Sequence, residues 1–262
     1  MSVVERLNAH YQHAKTKVDE DRIIGIFLAG SQNYGTALET SDVDTKLLIV
    51  PSLEDIYKNK KGDSSTSKLP DSKEQISIKD IRVALSELKK QNLNMLEILY
   101  TDYKIINPGY KNIWNELEKY KEDIVRYDKM TAVKTVKGMA LNAYDRLYTP
   151  EGEISCKQVA NLVRYEYYLK NYINNLPYEQ CLRPQGEDRN YIMQIRNHEI
   201  GANALQCIAD HSIETIKVLI DAYTKRIDVE EPNEEVEILL HDCCKDFIDT
   251  ALISQLSLKE VI

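Results

Sequence analysis

Ile23 to Val50 reads IIGIFLAGSQNYGTALETSDVDTKLLIV, and this stretch decides how the rest of the chain is arranged. The run Ile23-Ile24-Gly25-Ile26-Phe27-Leu28-Ala29 is short and apolar, the pattern of a buried strand. Gly30-Ser31 follows at once, then a helix-compatible segment to Gly35-Thr36 and a polar turn at Glu39-Thr40-Ser41. Asp42-Val43-Asp44 opens a second apolar strand, Leu47-Leu48-Ile49-Val50, which Pro51 stops. By the period of two of a strand, Asp42 and Asp44 project from one face and Val43 points into the core. Two carboxylates so close repel each other unless a cation lies between them. A hard divalent ion such as Mg²⁺ takes oxygen ligands of this kind and shares the rest of its shell with substrate phosphates. Gly30-Ser31 supplies a turn without a Cβ, free N–H groups and a hydroxyl, which suits a phosphate at a helix N-terminus.

The order Gly-Ser, ten residues, then Asp-x-Asp on a strand resembles the nucleotidyltransferase superfamily of DNA polymerase β. The fuller string GSQNYGT…SDVDTK is similar to a bacterial and phage branch of predicted nucleotidyltransferases, related to RNA-repair-associated members. A later string, KDIR…KQNLNMLEILYTDY, resembles the same branch, which usually reads IDVKDIR…KQNINFVEILFT. The likeness therefore covers residues 23–110 and, more loosely, Lys137-Gly138-Met139-Ala140 and Tyr178-Glu179-Gln180-Cys181-Leu182. The resemblance implies an α+β fold, a small mixed sheet flanked by helices and followed by a C-terminal helical bundle. It implies transfer of a nucleoside monophosphate from an NTP, such as ATP, to a hydroxyl acceptor, with pyrophosphate released. The acceptor class stays open between an RNA end, a small molecule and a protein. Asp42 and Asp44 would ligate Mg²⁺ or Mn²⁺, and Gly30 and Ser31 would hold the β- and γ-phosphates. One departure matters: the aspartate that relatives carry before Lys-Asp-Ile-Arg falls on Ser77 here. If the strands of Ser77 and Asp44 are neighbours, Ser77 takes the catalytic place of a third carboxylate. The alternative is a degenerate member that binds nucleotide or a partner without efficient turnover.

Lys46 shares the face of Asp42 and Asp44 by period two, so it either reaches a phosphate or the acceptor, or pairs with those aspartates. Gln32 and Tyr34 follow Gly30-Ser31, where an amide or ring meets nucleotide; the other reading of Tyr34 is packing. Glu97 lies in the apolar run MLEILY, where a carboxylate needs a partner. Arg82 and Lys90 are the candidates. Lys134, Lys137 and Arg164 form either a basic wall or a solvated helix face.

The bulk composition narrows the class. With 262 residues, 43% of them hydrophobic, the chain can bury a core and divide into two modest domains. The boundary is expected at Asn107-Pro108, giving a catalytic domain over 1–107 and a helical domain over 108–262. A net charge of −8 gives no long-range attraction for nucleic acid, so such a substrate would need a local basic groove. No apolar run approaches a membrane span of about 20 residues, and no signal-peptide pattern opens the chain. Five cysteines without a C-x-x-C pair read as reduced thiols, so a cytoplasmic protein is expected.

The remaining signals are local. Ser2-Val3-Val4-Glu5 reads as a capping box for a first helix, with His10 and His13 as surface residues. Lys58 to Ser72 reads as a mobile surface loop carrying Lys58, Lys60 and Lys61, either a flap or a solvated connection. Gln75 to Lys79 alternates as a half-buried strand, and Asp80 caps a helix over 81–91. After Pro108-Gly109 the pattern is helical throughout. Ser155 caps one helix, an irregular connection covers 177–187, and one long helix then runs to about residue 227. The last helix starts near Glu235.

Overall fold

The computed structural model describes residues 2–70, 72–226 and 231–259. Its architecture is α+β. Helix α1 (Val3–Lys15) starts on Ser2, whose side chain accepts the Glu5 N–H while Glu5 reaches back to the Ser2 N–H. β1 (Ile23–Ala29) is buried at all seven positions. The short helix α2 (Ser31–Tyr34) leads toward β2 (Asp44–Ile49), and α3 (Leu53–Tyr57) toward β3 (Ser64–Lys68) and β4 (Gln75–Asp80). Asp80 caps α4 (Ile81–Lys89) by accepting the Arg82 N–H. Asn92 caps α5 (Leu93–Leu96), and a 3₁₀ turn over Glu97–Tyr100 precedes β5 (Lys104–Ile106).

The sheet order is β3-β4-β2-β1-β5, with β2 and β4 parallel and the other neighbours antiparallel. Alternation splits it into two faces. Leu7 and Ala14 of α1 join Ile26, Leu47, Ile49, Ile76 and Ile78 in one core. On the opposite face Phe27 packs on Trp114, ring centroids 4.4 Å apart. Trp114 comes from α6 (Lys111–Lys119), which α7 (Lys121–Ile124) follows.

The helical region has α8 (Lys129–Asp145), α9 (Cys156–Ile173), α10 (Tyr178–Leu182), α11 (Gly186–Arg196) and α12 (Ala202–Arg226), and α13 (Glu234–Lys259) is the last described helix. The described residues fall into one compact unit within 1–32, 42–127 and 233–262 and another within 33–41 and 128–232. The sheet-bearing unit thus runs past residue 107 to Tyr127 and takes in α13, because α13 packs on both α4 and α6. Within the described residues no helix is long and apolar enough to cross a membrane.

Four local expectations need correction. The segment expected as a loop over 58–72 contains β3, which pairs antiparallel with β4 from Ser64↔Lys79 to Lys68↔Gln75. Its side chains are polar and almost all exposed, so backbone pairing at a sheet edge holds it and hydropathy does not reveal it. The expected connection over 177–187 contains α10, and the expected long helix is two helices, α11 and α12. The break between them contains His198 at φ 61, the left-handed residue that follows the C-cap Asn197 and turns the chain out of α11. His10, expected at the surface, is fully buried.

Candidate active site

The register of the two central strands places Ala29 opposite Asp44. Gly30, the next residue, has φ +71, a left-handed conformation that suits glycine. A Cβ at this position would lie 3.1 Å from Asp44 Oδ2, so the turn and the carboxylate are in close contact. Asp42 and Asp44 are exposed and flank Val43, which is completely buried. The strand itself starts only at Asp44, and Asp42 precedes it.

On the same sheet face as Asp44 lies Lys46. Its ammonium donates to Glu97 Oε1 at 2.5 Å. The other carboxylate oxygen, Glu97 Oε2, accepts the Gly30 N–H at 3.0 Å. Glu97 is 1% exposed and Lys46 8%, so this is a buried ion pair tied into the turn. Two expectations change accordingly. Glu97 pairs with Lys46, while Arg82 is bound to Asp80. The Gly30 N–H is not free for a phosphate, because Glu97 already accepts it.

The segment leading into β2 is anchored from the other side. Glu74 accepts the Val43 N–H at 3.4 Å and pairs with Arg6. His10 Nε2 lies 2.8 Å from Glu74 Oε2, and His10 Nδ1 lies 2.9 Å from the Thr45 hydroxyl. Burial, with help from the Arg6 and His13 charges, lowers the His10 pKa to about 4. A neutral ring with its proton on Nε2 satisfies both contacts: it donates to Glu74 and accepts from Thr45.

β4 lies beside β2 in parallel, with Gln75 opposite Asp44 and Ser77 opposite Lys46. Ser77 is half-buried and shares their face. Asp80, the next acid along, is held by Arg82 Nε at 2.9 Å and Nη2 at 2.7 Å. Ser31 and Gln32 are half-buried at the start of α2. Tyr34 is 5% exposed, and the Arg164 guanidinium sits 3.9 Å from its ring centroid, so the packing reading describes it. Asn92 is occupied as a cap, Lys134 is exposed, and Arg164 is buried, so Lys134 and Arg164 do not share a solvated face.

The two aspartates offer oxygen ligands of the kind a hard divalent ion takes. Among the described residues no three His, Cys, Asp or Glu side chains gather to hold an ion. Two exposed carboxylates fit Mg²⁺ or Mn²⁺ that completes its shell with phosphate oxygens and water. The Lys60 and Lys61 region lines a separate polar cavity of about 590 Å³ with Arg22, Asp55, Asp80 and Arg82. Gly30, Asp42 and Asp44 are not part of it, and its charges are largely matched: Arg22 and Lys60 pair with Asp55, and Arg82 with Asp80.

No family model and no curated protein matches the chain.

Proposed function

We propose that the protein is a metal-dependent nucleotidyltransferase, moving a nucleoside monophosphate from an NTP to a hydroxyl acceptor and releasing pyrophosphate. The observation that carries this reading is the contact between the Gly30 turn and Asp44, with exposed Asp42 two residues before it. Asp42 and Asp44 would hold Mg²⁺ or Mn²⁺, which when bound neutralises charge developing on the phosphate oxygens. The Ser31 hydroxyl would donate to a phosphate oxygen. Lys46 and Glu97 would act one step back, fixing the turn and the aspartate strand relative to each other. All five cysteines are free thiols, which supports a reducing compartment such as the cytoplasm. RNA ends, small molecules and protein side chains remain the acceptor classes of this reading.

Ser77 favours a second reading, binding without efficient turnover. The strand neighbours of Asp44 and Lys46 on β4 are Gln75 and Ser77, and neither can accept a proton from the attacking hydroxyl. Loss of a general base costs about 10²–10⁴ in rate. One experiment separates the two readings: incubation of the full chain with each labelled NTP and Mg²⁺ or Mn²⁺. Pyrophosphate release or self-labelling supports transfer, whereas metal-dependent nucleotide binding with neither supports the second reading. Asp42→Asn and Asp44→Asn should abolish the metal-dependent signal, since each removes a carboxylate that would hold the ion. Unchanged activity and nucleotide affinity in both variants would remove the site assignment.

A further inference from the structure

The helical unit concentrates arginines on the segment Asn33–Ser41. Arg183 Nε donates to the Asn33 carbonyl at 3.0 Å, and Arg189 Nε to the Gly35 carbonyl at 2.8 Å. Arg196 Nη2 reaches the Ser41 hydroxyl at 3.4 Å. Arg164, on α9, stacks over Tyr34 at 3.9 Å and Tyr165 at 4.8 Å. Arg183 has a carboxylate, Glu179. Among the described residues Arg164 and Arg196 form no ion pair. Glu166, near Arg164 on the same helix, is taken by Lys170.

Arg164 is the anomaly. It is 4% exposed, and its Nη1 is buried with no hydrogen-bond partner. A buried guanidinium ordinarily requires a carboxylate or a set of acceptors, because leaving it uncompensated is expensive. Two tyrosine faces offset only part of that cost, at about 0.5–2 kcal/mol each. Arg196, half-buried on α11, lies close enough that burial and the Arg164 charge both lower its pKa. Like charges gathered without a counter-ion make a region of high positive potential, and the half-exposed Arg196 gives solutes access to it.

We propose that Arg196, backed by the buried charge of Arg164, binds the phosphate group of a ligand. A phosphate carries up to two negative charges and matches two guanidiniums, where a carboxylate brings only one. Arg196 makes the direct contact through its planar fork. Arg164 raises the potential behind it, and the Tyr34 and Tyr165 rings hold Arg164 in place. The proposal does not rest on nucleotidyl transfer and concerns residues of the helical unit alone.

The test is calorimetric and thermal-shift titration of the full chain with inorganic phosphate and pyrophosphate. EDTA is present throughout, and acetate and chloride serve as controls. Wild type should bind phosphate or pyrophosphate and melt higher with either, while acetate at equal ionic strength does neither. Arg196→Gln should weaken binding by about tenfold or more, the equivalent of one charged hydrogen bond. Arg164→Met should weaken it similarly while keeping the volume between the rings. Arg189→Gln, which removes an exposed charge seven residues before Arg196 on the same helix, should change affinity by less than about twofold, as a solvent-screened charge does. The proposal falls if wild type binds neither anion at millimolar concentration, if acetate binds as well, or if Arg189→Gln loses as much as Arg196→Gln. Should Arg164→Met fail to fold, the Arg196→Gln and Arg189→Gln pair decides. Asp44→Asn should leave phosphate binding in EDTA intact, which separates failure here from failure of the metal-dependent reading.

Discussion

Glu97 and Arg164 are both long charged side chains, exposed by 1% and 4% respectively, and the molecule treats them in opposite ways. Glu97 has an ammonium on one oxygen and a backbone N–H on the other. Arg164 has two aromatic faces and a buried nitrogen with no partner. A buried charge whose needs are met inside the chain serves the scaffold, because any change to it unbalances a network. One whose needs the chain leaves unmet carries a desolvation cost, which on the proposal above a bound anion offsets. The comparison separates the positioning of a site from the recognition of a ligand, and it can be broken by removing one charge at a time.

The largest effect is expected at Lys46. Lys46→Met removes the ammonium that pairs with the buried Glu97 carboxylate, so it should cost about 3–5 kcal/mol in urea unfolding. Adding Glu97→Gln should recover most of that loss, since Gln still offers an acceptor to the Gly30 N–H and no ion remains unpaired. A single-variant cost below about 1 kcal/mol would show that the pair is solvated and that the contrast with Arg164 is unfounded.

The next effect is a pH dependence. His10 is lowered to about 4 in the folded chain, against about 6.5 in an unfolded one. The unfolded state therefore binds the extra proton more readily, and acid favours unfolding. The stability held by neutral His10 is complete above about pH 6.5 and drains as pH falls toward 4, by roughly 3 kcal/mol in all. His10→Gln should be less stable at neutral pH but should lack that slope between pH 6.5 and 4. A wild-type slope retained in the variant would assign the titration to another group. Because Glu74 joins His10 to the Val43 N–H, the same acid range should loosen the entry into the Asp42–Asp44 segment.

These residues also show what the sequence can disclose. β1 was readable because seven consecutive apolar residues leave few alternatives, and Asp80 because a cap acts two residues away. Glu97 announced its need, a carboxylate amid Met95, Leu96, Ile98 and Leu99, but not its partner. Lys46 is 51 positions away and reaches Glu97 only through the pairing of the sheet. His10 looked like a surface residue because a histidine on a helix carries no sign of the Glu74 and Thr45 waiting for it. β3 was hidden because Ser64-Ser65-Thr66-Ser67-Lys68 has no apolar face for a periodicity to mark. Of the candidate site, Gly30, Asp42 and Asp44 were legible as a motif, whereas the bracing by Glu97 and Glu74 was not. Local chemistry shows in a sequence, but long-range pairing does so only when both halves belong to a known pattern.

The smallest expected effect is the one that tests the comparison most sharply. Arg164→Met removes the cation–π contacts with Tyr34 and Tyr165, a loss of about 0.5–2 kcal/mol each. It also removes a desolvated charge and the repulsion that this charge exerts on Arg196. Replacement of buried ions by apolar side chains of similar volume is often neutral or stabilising by 1–4 kcal/mol. The opposing terms are of similar size, so in anion-free buffer the variant should unfold within about 1 kcal/mol of wild type. This is the opposite of Lys46→Met, although both substitutions put methionine in place of a buried cation. In phosphate the two proteins should separate, because only wild type gains stability, by RT ln(1 + [L]/Kd). A loss of several kcal/mol in anion-free buffer would mean that the rings and Arg164 form a structural unit complete in itself. A gap that opens only with phosphate would mean that the missing counter-ion is supplied by the ligand.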